Sequence, residues 1–282
     1  MKILLTGASG LIGQALLARL QPENDCRTIK LRQPYSVRPE DVDWADAVIS
    51  LNGASLGRVP WTTGYRRQIA ASRVNTTTAI ANAIAASDQP PTVWLSASAV
   101  GFYGDRGDEE LTEQSPAGKG FLAEVAKAWE QATSAAVGRT RVVNLRTGLV
   151  LADGGALKPL LLASKFGLGA RMGTGRAWWP WVSLADEVGG IVHALGHDDI
   201  TGPVNLVGPT PARSDDVTAA FAHAAGRPYL MRVPSFALRA VLGQAADELL
   251  LASQKVAPVK LLATGYSFVD GTVAQAIAAH HQ

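Results

Sequence analysis

Three glycines, Gly7, Gly10 and Gly13, follow immediately on the apolar run Ile3–Leu5 and Thr6, and from Leu11 to Leu20 apolar residues recur at helical spacing. The glycines therefore occupy a strand-to-helix turn, where one permits the tight bend, one admits a pyrophosphate to the backbone and one lets helix and strand pack closely. Amides at the helix start face such an anion, which makes Gly7, Ser9, Gly10, Leu11, Ile12 and Gly13 candidate dinucleotide-binding residues. A purely structural glycine turn is the other reading of the same spacing.

Arg32 follows the second apolar segment, where an NAD-selective fold carries Asp or Glu for the ribose hydroxyls. A guanidinium there binds a 2′-phosphate in a forked contact that a carboxylate would repel, which favours NADP(H) over NAD(H). A solvated surface arginine is the alternative, and Lys30 is a weaker candidate. Gly53 and Ala54, in the small-residue stretch SLNGAS, suit close approach of a ribose-phosphate and equally suit a compact turn.

Such residues can act together only if a sheet delivers them to one edge. Strands are expected at Ile3–Thr6, Arg27–Leu31, Ala47–Leu51, Thr92–Ser96 and Arg141–Leu145, with helical patterns at Leu11–Leu20, Gly64–Ala86 and Phe121–Ala136. This alternation predicts an α/β fold, a Rossmann-type doubly wound parallel sheet with ligands beyond the carboxyl ends of its strands. After residue 150 the pattern changes to a stretch rich in glycine and tryptophan, and GPVNLVGP, from Gly202 to Pro209, reads as a strand that rejoins the sheet. Residues 1–150 with about 181–207 therefore read as the nucleotide-binding domain, and 151–180 with 208–282 as a smaller C-terminal mixed substrate subdomain.

Trp178, Trp179 and Trp181 read as core closure in preference to a stacking wall, since tryptophan buries a large area. Asp186 is expected to cap a helix beginning near Glu187. His193 and His197 are four apart but have no acidic third ligand nearby, so no metal site is expected; His280 and His281 lie at a terminus expected to fray.

Composition is consistent with an enzyme of this size: 282 residues, 47% hydrophobic, 18% charged, net charge +2 with its basic residues scattered, which leaves no footprint for nucleic acid. The single cysteine, Cys26, excludes an internal disulfide and reads as inert packing just before a strand. No signal-peptide pattern or run of ~18 apolar residues occurs, so a cytoplasmic protein without membrane contact is expected, of undetermined oligomeric state.

The segments TGASGLIG, Ser72–Arg73, SAVGFYGDRGDE, FLAEVAKAWE, LRTGLVLADGGAL, WWPWVSLAD, GPVNLVGP and QKVAPVKLLATGYSF span nearly the whole chain. Jointly they resemble the atypical and extended short-chain dehydrogenase/reductase superfamily, in particular its NAD-dependent epimerase-like family of uncertain activity. The resemblance implies that Ser98, or next Ser96, bonds the reacting oxygen of a substrate, and that Tyr103 with Gly104 lines the pocket. It likewise implies that backbone near Gly148 meets the nicotinamide carboxamide, that Arg146 lies near the pocket and that Asn75 is cofactor-adjacent or an ordinary helix residue.

One departure is decisive. The superfamily's reductases carry a YxxxK pair, a proton-transferring tyrosine and a lysine that holds the nicotinamide ribose, but here those positions hold Phe121 and Val125. If the chain is catalytic, Ser98 and Tyr103 are the candidates to replace the pair, with Asp105, Arg106 and Asp108 positioning a polar substrate. The expected function is an NADP(H)-dependent reductase or sugar-nucleotide-epimerase-like oxidoreductase acting on a small polar substrate; the alternative is a non-catalytic NADP(H)-sensing protein.

Overall fold

The computed structural model describes residues 1–152, 154 and 158–279, so the terminal His280 and His281 lie outside the described residues. The first half runs β1 (Lys2–Thr6), α1 (Leu11–Leu20), β2 (Asp25–Ile29), α2 (Pro39–Asp43), β3 (Ala47–Ser50), α3 (Thr63–Ala86), β4 (Val93–Ala99), a 3-10 turn (Val100–Tyr103), β5 (Glu110–Leu111) and α4 (Phe121–Gln131). It continues through β6 (Arg141–Thr147), β7 (Leu149–Leu151), α5 (Lys158–Lys165), β8 (Ala170–Met172), β9 (Trp178–Trp179), β10 (Trp181–Ser183), α6 (Leu184–Gly196) and β11 (Gly202–Leu206). The last part holds β12 (Ala212–Arg213), α7 (Ser214–Ala224), β13 (Met231–Val233), α8 (Ser235–Leu242), a π-helical turn (Ala246–Leu251), β14 (Lys255–Val256), α9 (Val259–Ala263) and α10 (Val273–Ala278).

Six strands form one parallel sheet in the order β11-β6-β4-β3-β1-β2, a Rossmann-type arrangement with helices on both faces. The chain winds outward in both directions from β1, so the switch between β1 and β3 opens a crevice at the strands' carboxyl ends. One face is closed by Leu16, Leu20, Ile191 and Leu195 over Ile3, Ile49, Leu95 and Val143; the other packs Ile80 and Ile84 onto Leu4, Val48 and Trp94. Strands buried on both faces must be apolar throughout, which is why they stand out in the sequence. A further cluster centred on Trp179, Trp181 and Phe221 belongs to the smaller C-terminal region.

Pairing sets two boundaries that local sequence misplaces. β2 covers Asp25–Ile29, two residues earlier than expected, because it pairs residue for residue with the five of β1; Cys26 thus sits inside the strand. β4 continues three residues past Ser96 because β6 also continues, pairing Ser98 with Arg146 and Ala99 with Thr147. α4 ends at Gln131, and a separate 3-10 turn, Ser134–Ala136, takes up the rest of the segment expected to be helical.

Candidate active site

A cavity of about 360 Å³ lies beyond the carboxyl ends of the sheet. Its walls come from the β1–α1 turn, Leu51 after β3, Arg73 of α3, Ala99 to Gly101 from the end of β4, the α4 face Leu122–Trp129, and Thr147 to Val150 from the end of β6. The C-terminal region closes it with Trp179, Pro180, Glu248, Leu249, Ala252 and Gln254. A polar annex of about 200 Å³ shares Gly101, Leu122, Glu248, Ala252 and Gln254 with it and adds Asp105, Lys119, Arg239 and Asp247.

Backbone geometry at the glycine turn excludes side chains. Gly7 has φ +79°, and a Cβ there would stand 2.6 Å from the Leu51 carbonyl; one at Gly13 would stand 2.4 Å from the Gly7 oxygen. α1 then starts from Gly10 with no capping side chain and no acidic residue in its first turn. The amides of Leu11, Ile12 and Gly13 meet no acceptor among the described residues, and all three residues line the cavity. Three outward amides at the positive end of a helix are a fit for the pyrophosphate of a dinucleotide.

Of the other residues singled out in the sequence, Gly148 lines the cavity, while Ser9, Arg32, Gly53 and Ala54 do not. Arg32 is exposed just beyond β2, and Ser9 is exposed on the glycine turn. Gly53 is approached by a guanidinium: a Cβ there would lie 3.1 Å from Arg73 Cζ. Ser72 and Arg73 clamp the same loop, the Ala54 amide donating to Ser72 Oγ at 2.9 Å and Arg73 Nη1 donating to the Ala54 oxygen at 3.2 Å. Gly148 donates its amide to the Leu206 oxygen at 2.9 Å and Leu149 donates to the Pro180 oxygen at 2.7 Å, so neither amide is open to a carboxamide. Asn75 is exposed on α3.

Ser98 and Tyr103, expected to face substrate, are turned into the protein instead. Ser98 lies within β4, buried, and donates to Glu130 Oε1 at 2.7 Å. Tyr103 is fully buried; its hydroxyl donates to Asn205 Oδ1 at 2.7 Å and accepts from Arg146 Nη1 at 2.8 Å. Arg146 forks onto Glu130 at 2.8 and 2.9 Å and lies 3.6 Å from the centroid of the Phe102 ring. Burial raises the Tyr103 phenol above its ordinary range, against the opposing charge and hydrogen bond of Arg146. The physical reason is the Arg146–Glu130 pair carried inside by β6 and α4: Arg146 holds the Tyr103 hydroxyl directly, and Glu130 holds Ser98. Ser96 is buried as well, with no partner for its hydroxyl among the described residues.

Asp186 does not cap α6; Ser183 does, accepting from the Asp186 amide at 3.1 Å. The Asp186 carboxylate instead accepts from Tyr266 Oη at 3.0 Å and from the amides of Val269 and Asp270 at 2.8 and 3.0 Å, tying the C-terminal region to the sheet. Trp179 and Trp181 are buried core residues, whereas Trp178 is partly exposed beneath Arg213, 3.7 Å from its ring centroid. His193 and His197 stack at 3.7 Å, and no cluster of three metal-ligating side chains occurs among the described residues.

Polar lining residues that were not among the candidates read from the sequence include Thr147, Glu248 and Arg73. Thr147, the last residue of β6, lines the cavity and donates to Glu187 Oε1 at 2.8 Å. Glu187 is fully buried; its other oxygen meets no partner among the described residues, and burial lifts its carboxyl to about 8. Glu248 accepts from the amides of Phe121 and Leu122 at 2.8 and 3.2 Å, so a carboxylate from the π-helical turn caps α4. Arg73 is the third, and only the pairing of a basic residue with small residues after β3 hints at it in the sequence.

A twisted parallel sheet with its cavity at the switch between β1 and β3, a side-chain-free glycine turn and a helical region closing the opposite wall define a Rossmann-type nucleotide-binding protein. Residues 3–208 match the model of the NAD dependent epimerase/dehydratase family, and residues 233–279 match a domain of unknown function. The chain belongs to the NAD dependent epimerase/dehydratase family. It is 36% identical to an epimerase family protein of Mycobacterium leprae over 98% of this chain and 94% of that one. It is 32% identical to human epimerase family protein SDR39U1 over 95% of each chain. The crystal structure of human SDR39U1 (isoform 2) with NADPH matches at TM-score 0.90 and 29% identity, covering 100% of this chain and 99% of that one. No helix among the described residues is long and apolar enough to cross a membrane.

Proposed function

We propose that this protein binds NADP(H) and acts as an oxidoreductase on a small carbonyl or hydroxyl compound held in the cavity. The observation that carries the reading is the unshielded first turn of α1, whose three amides line that cavity. In this reading Leu11, Ile12 and Gly13 bind the pyrophosphate and Arg32 binds the 2′-phosphate on the adenosine side. The NADPH held by the human relative supports the same choice of nucleotide. Residues 1–150 with 181–207 hold the cofactor, and 151–180 with 208–282 face the substrate. The bound nicotinamide supplies or accepts a hydride.

This chain's own residues must then move a proton. Among the lining residues Thr147 carries the hydroxyl, with Glu187 behind it. Thr147 Oγ1 donates to Glu187 Oε1 in the resting site; below about pH 8, where the Glu187 carboxyl retains its proton, reversal of that hydrogen bond turns the threonine proton toward a substrate oxygen and lets Glu187 replace it. Ser98 and Tyr103 serve in this account by fixing the position of β4 and β6 through Arg146. The polar annex with Lys119 and Arg239 suits the polar end of the substrate.

A second reading, a non-catalytic NADP(H)-responsive protein, is favoured by the apolar Phe121 and Val125 and by the sequestered hydroxyls of Ser98 and Tyr103. Absorbance of reduced nicotinamide across a panel of ketones, aldehydes and nucleotide sugars separates the two. Turnover with any of them, lost in Thr147→Val while NADPH affinity is retained, supports the oxidoreductase. Binding without consumption of any substrate supports the second reading.

A further inference from the structure

Replacing tyrosine and lysine by Phe121 and Val125 strips α4 of positive charge on the face where Leu122, Val125, Ala126 and Trp129 line the cavity. A cation nevertheless reaches that wall from a different helix. Arg73 of α3 lines the cavity with its guanidinium carbon 5.1 Å from the Trp129 ring centroid. Its Nη1 donates to the oxygens of Ala54 and Ile69 at 3.2 and 3.1 Å, which anchors the group, while Nε and Nη2 meet no acceptor among the described residues.

Arg73 has no carboxylate within 4.0 Å among the described residues, unlike Arg146, whose charge Glu130 neutralises. Burial alone lowers its pKa to about 10, so it remains a cation at neutral pH. A half-buried guanidinium without a counter-charge gains from a ligand that completes its hydrogen bonds. Its location limits which ligand group that is. The glycine turn follows β1, whereas Arg73 packs between the loop after β3 and Trp129 of α4, on the side of the crevice toward β4 and β6.

We propose that Arg73 takes over the task of the missing lysine by hydrogen-bonding the ribose hydroxyls on the nicotinamide side of the dinucleotide. The ribose-holding cation has thus moved from α4 to α3, where the glycine at position 53 leaves room for its planar head. A guanidinium suits this work because its forked donors match a vicinal diol and its charge does not depend on a neighbouring base.

The proposal rests on the nucleotide reading above, and calorimetry with two ligands tells the failure of one from the failure of the other. NADPH carries both riboses; adenosine 2′-phosphate 5′-diphosphate carries the same phosphates and lacks the second ribose. Arg73→Met is expected to weaken NADPH about tenfold or more, the scale of a lost charge-assisted hydrogen bond, while the truncated nucleotide binds as it does to the parent protein. Arg73→Lys is expected to recover most of the loss. Retained binding of the truncated nucleotide also shows that each variant keeps a folded glycine turn. Equal weakening of both ligands assigns Arg73 to a phosphate and overturns the proposal, as does unchanged affinity for NADPH. Failure of the parent protein to bind either ligand instead removes the nucleotide reading itself, and this proposal with it.

Discussion

Two arginines show how burial divides structural from functional charge. Arg146 is 3% exposed and meets a carboxylate, a phenol and an aromatic face, so its energy is committed to holding β6 against α4. Truncation as Arg146→Met leaves Glu130 largely enclosed without its ion-pair partner, and is expected to lower unfolding free energy by about 3–5 kcal/mol in urea titrations. Arg32 is exposed and has no such commitment. Arg32→Asp is expected to weaken NADPH by about 1.5–3 kcal/mol more than NADH in parallel titrations; equal losses would remove it from the site. At this scale the sequence allowed for an exposed Arg32, which the structure shows, and misled where side chains turn inward. Ser98 and Tyr103 have the right types and spacing for a substrate site, but nothing in their local sequence reveals that Arg146, more than forty positions away, binds one directly and the other through Glu130.

Among the elements, the β1–α1 turn was readable because each of its constraints is local. An apolar strand, a positive φ at Gly7 and the close pass of Gly13 over the Gly7 oxygen all fall between Lys2 and Gly13. Gly13→Ala would place a methyl 2.4 Å from that oxygen, and is expected to cost about 1–3 kcal/mol of stability and to weaken nucleotide binding severely. Thermal melts alongside titrations check both effects, and normal affinity in a normally folded variant would show that the turn does not cradle the nucleotide. The ends of β2 and β4 were less readable, because partner strands decide where they stop. The same holds for α6: Ser183 and Asp186 are both good cap types, and the amides of Val269 and Asp270, some eighty residues on, recruit the aspartate for another purpose.

Over the whole molecule, the C-terminal region completes what the sheet begins. Gln254 donates to the Val100 and Gly104 oxygens, and Glu248 caps α4, so the cavity wall is assembled from residues about 150 and 127 positions apart. Such contacts leave no periodic trace in sequence, which is why the cavity's lid was legible only as a change of pattern after residue 150. Global stability should also carry the mark of Glu187. Its carboxyl titrates at about 8 in the folded protein against 4.5 ordinarily, so the folded state holds a proton that the unfolded chain has released. Stability therefore falls as pH rises from about 4.5 to about 8, by an amount on the order of 5 kcal/mol, and then levels off. Denaturant titrations at several pH values should show this slope, and Glu187→Gln should flatten it; an unchanged slope in the variant would assign it to other groups.

All of these expectations converge on the dinucleotide crevice. Isothermal titration of the purified, nucleotide-stripped protein with NADPH and then NADH tests it most directly. NADPH is expected to bind saturably at one site per chain, more tightly than NADH and not at all in Gly13→Ala; absence of saturable heat with both nucleotides would show that the crevice holds no dinucleotide.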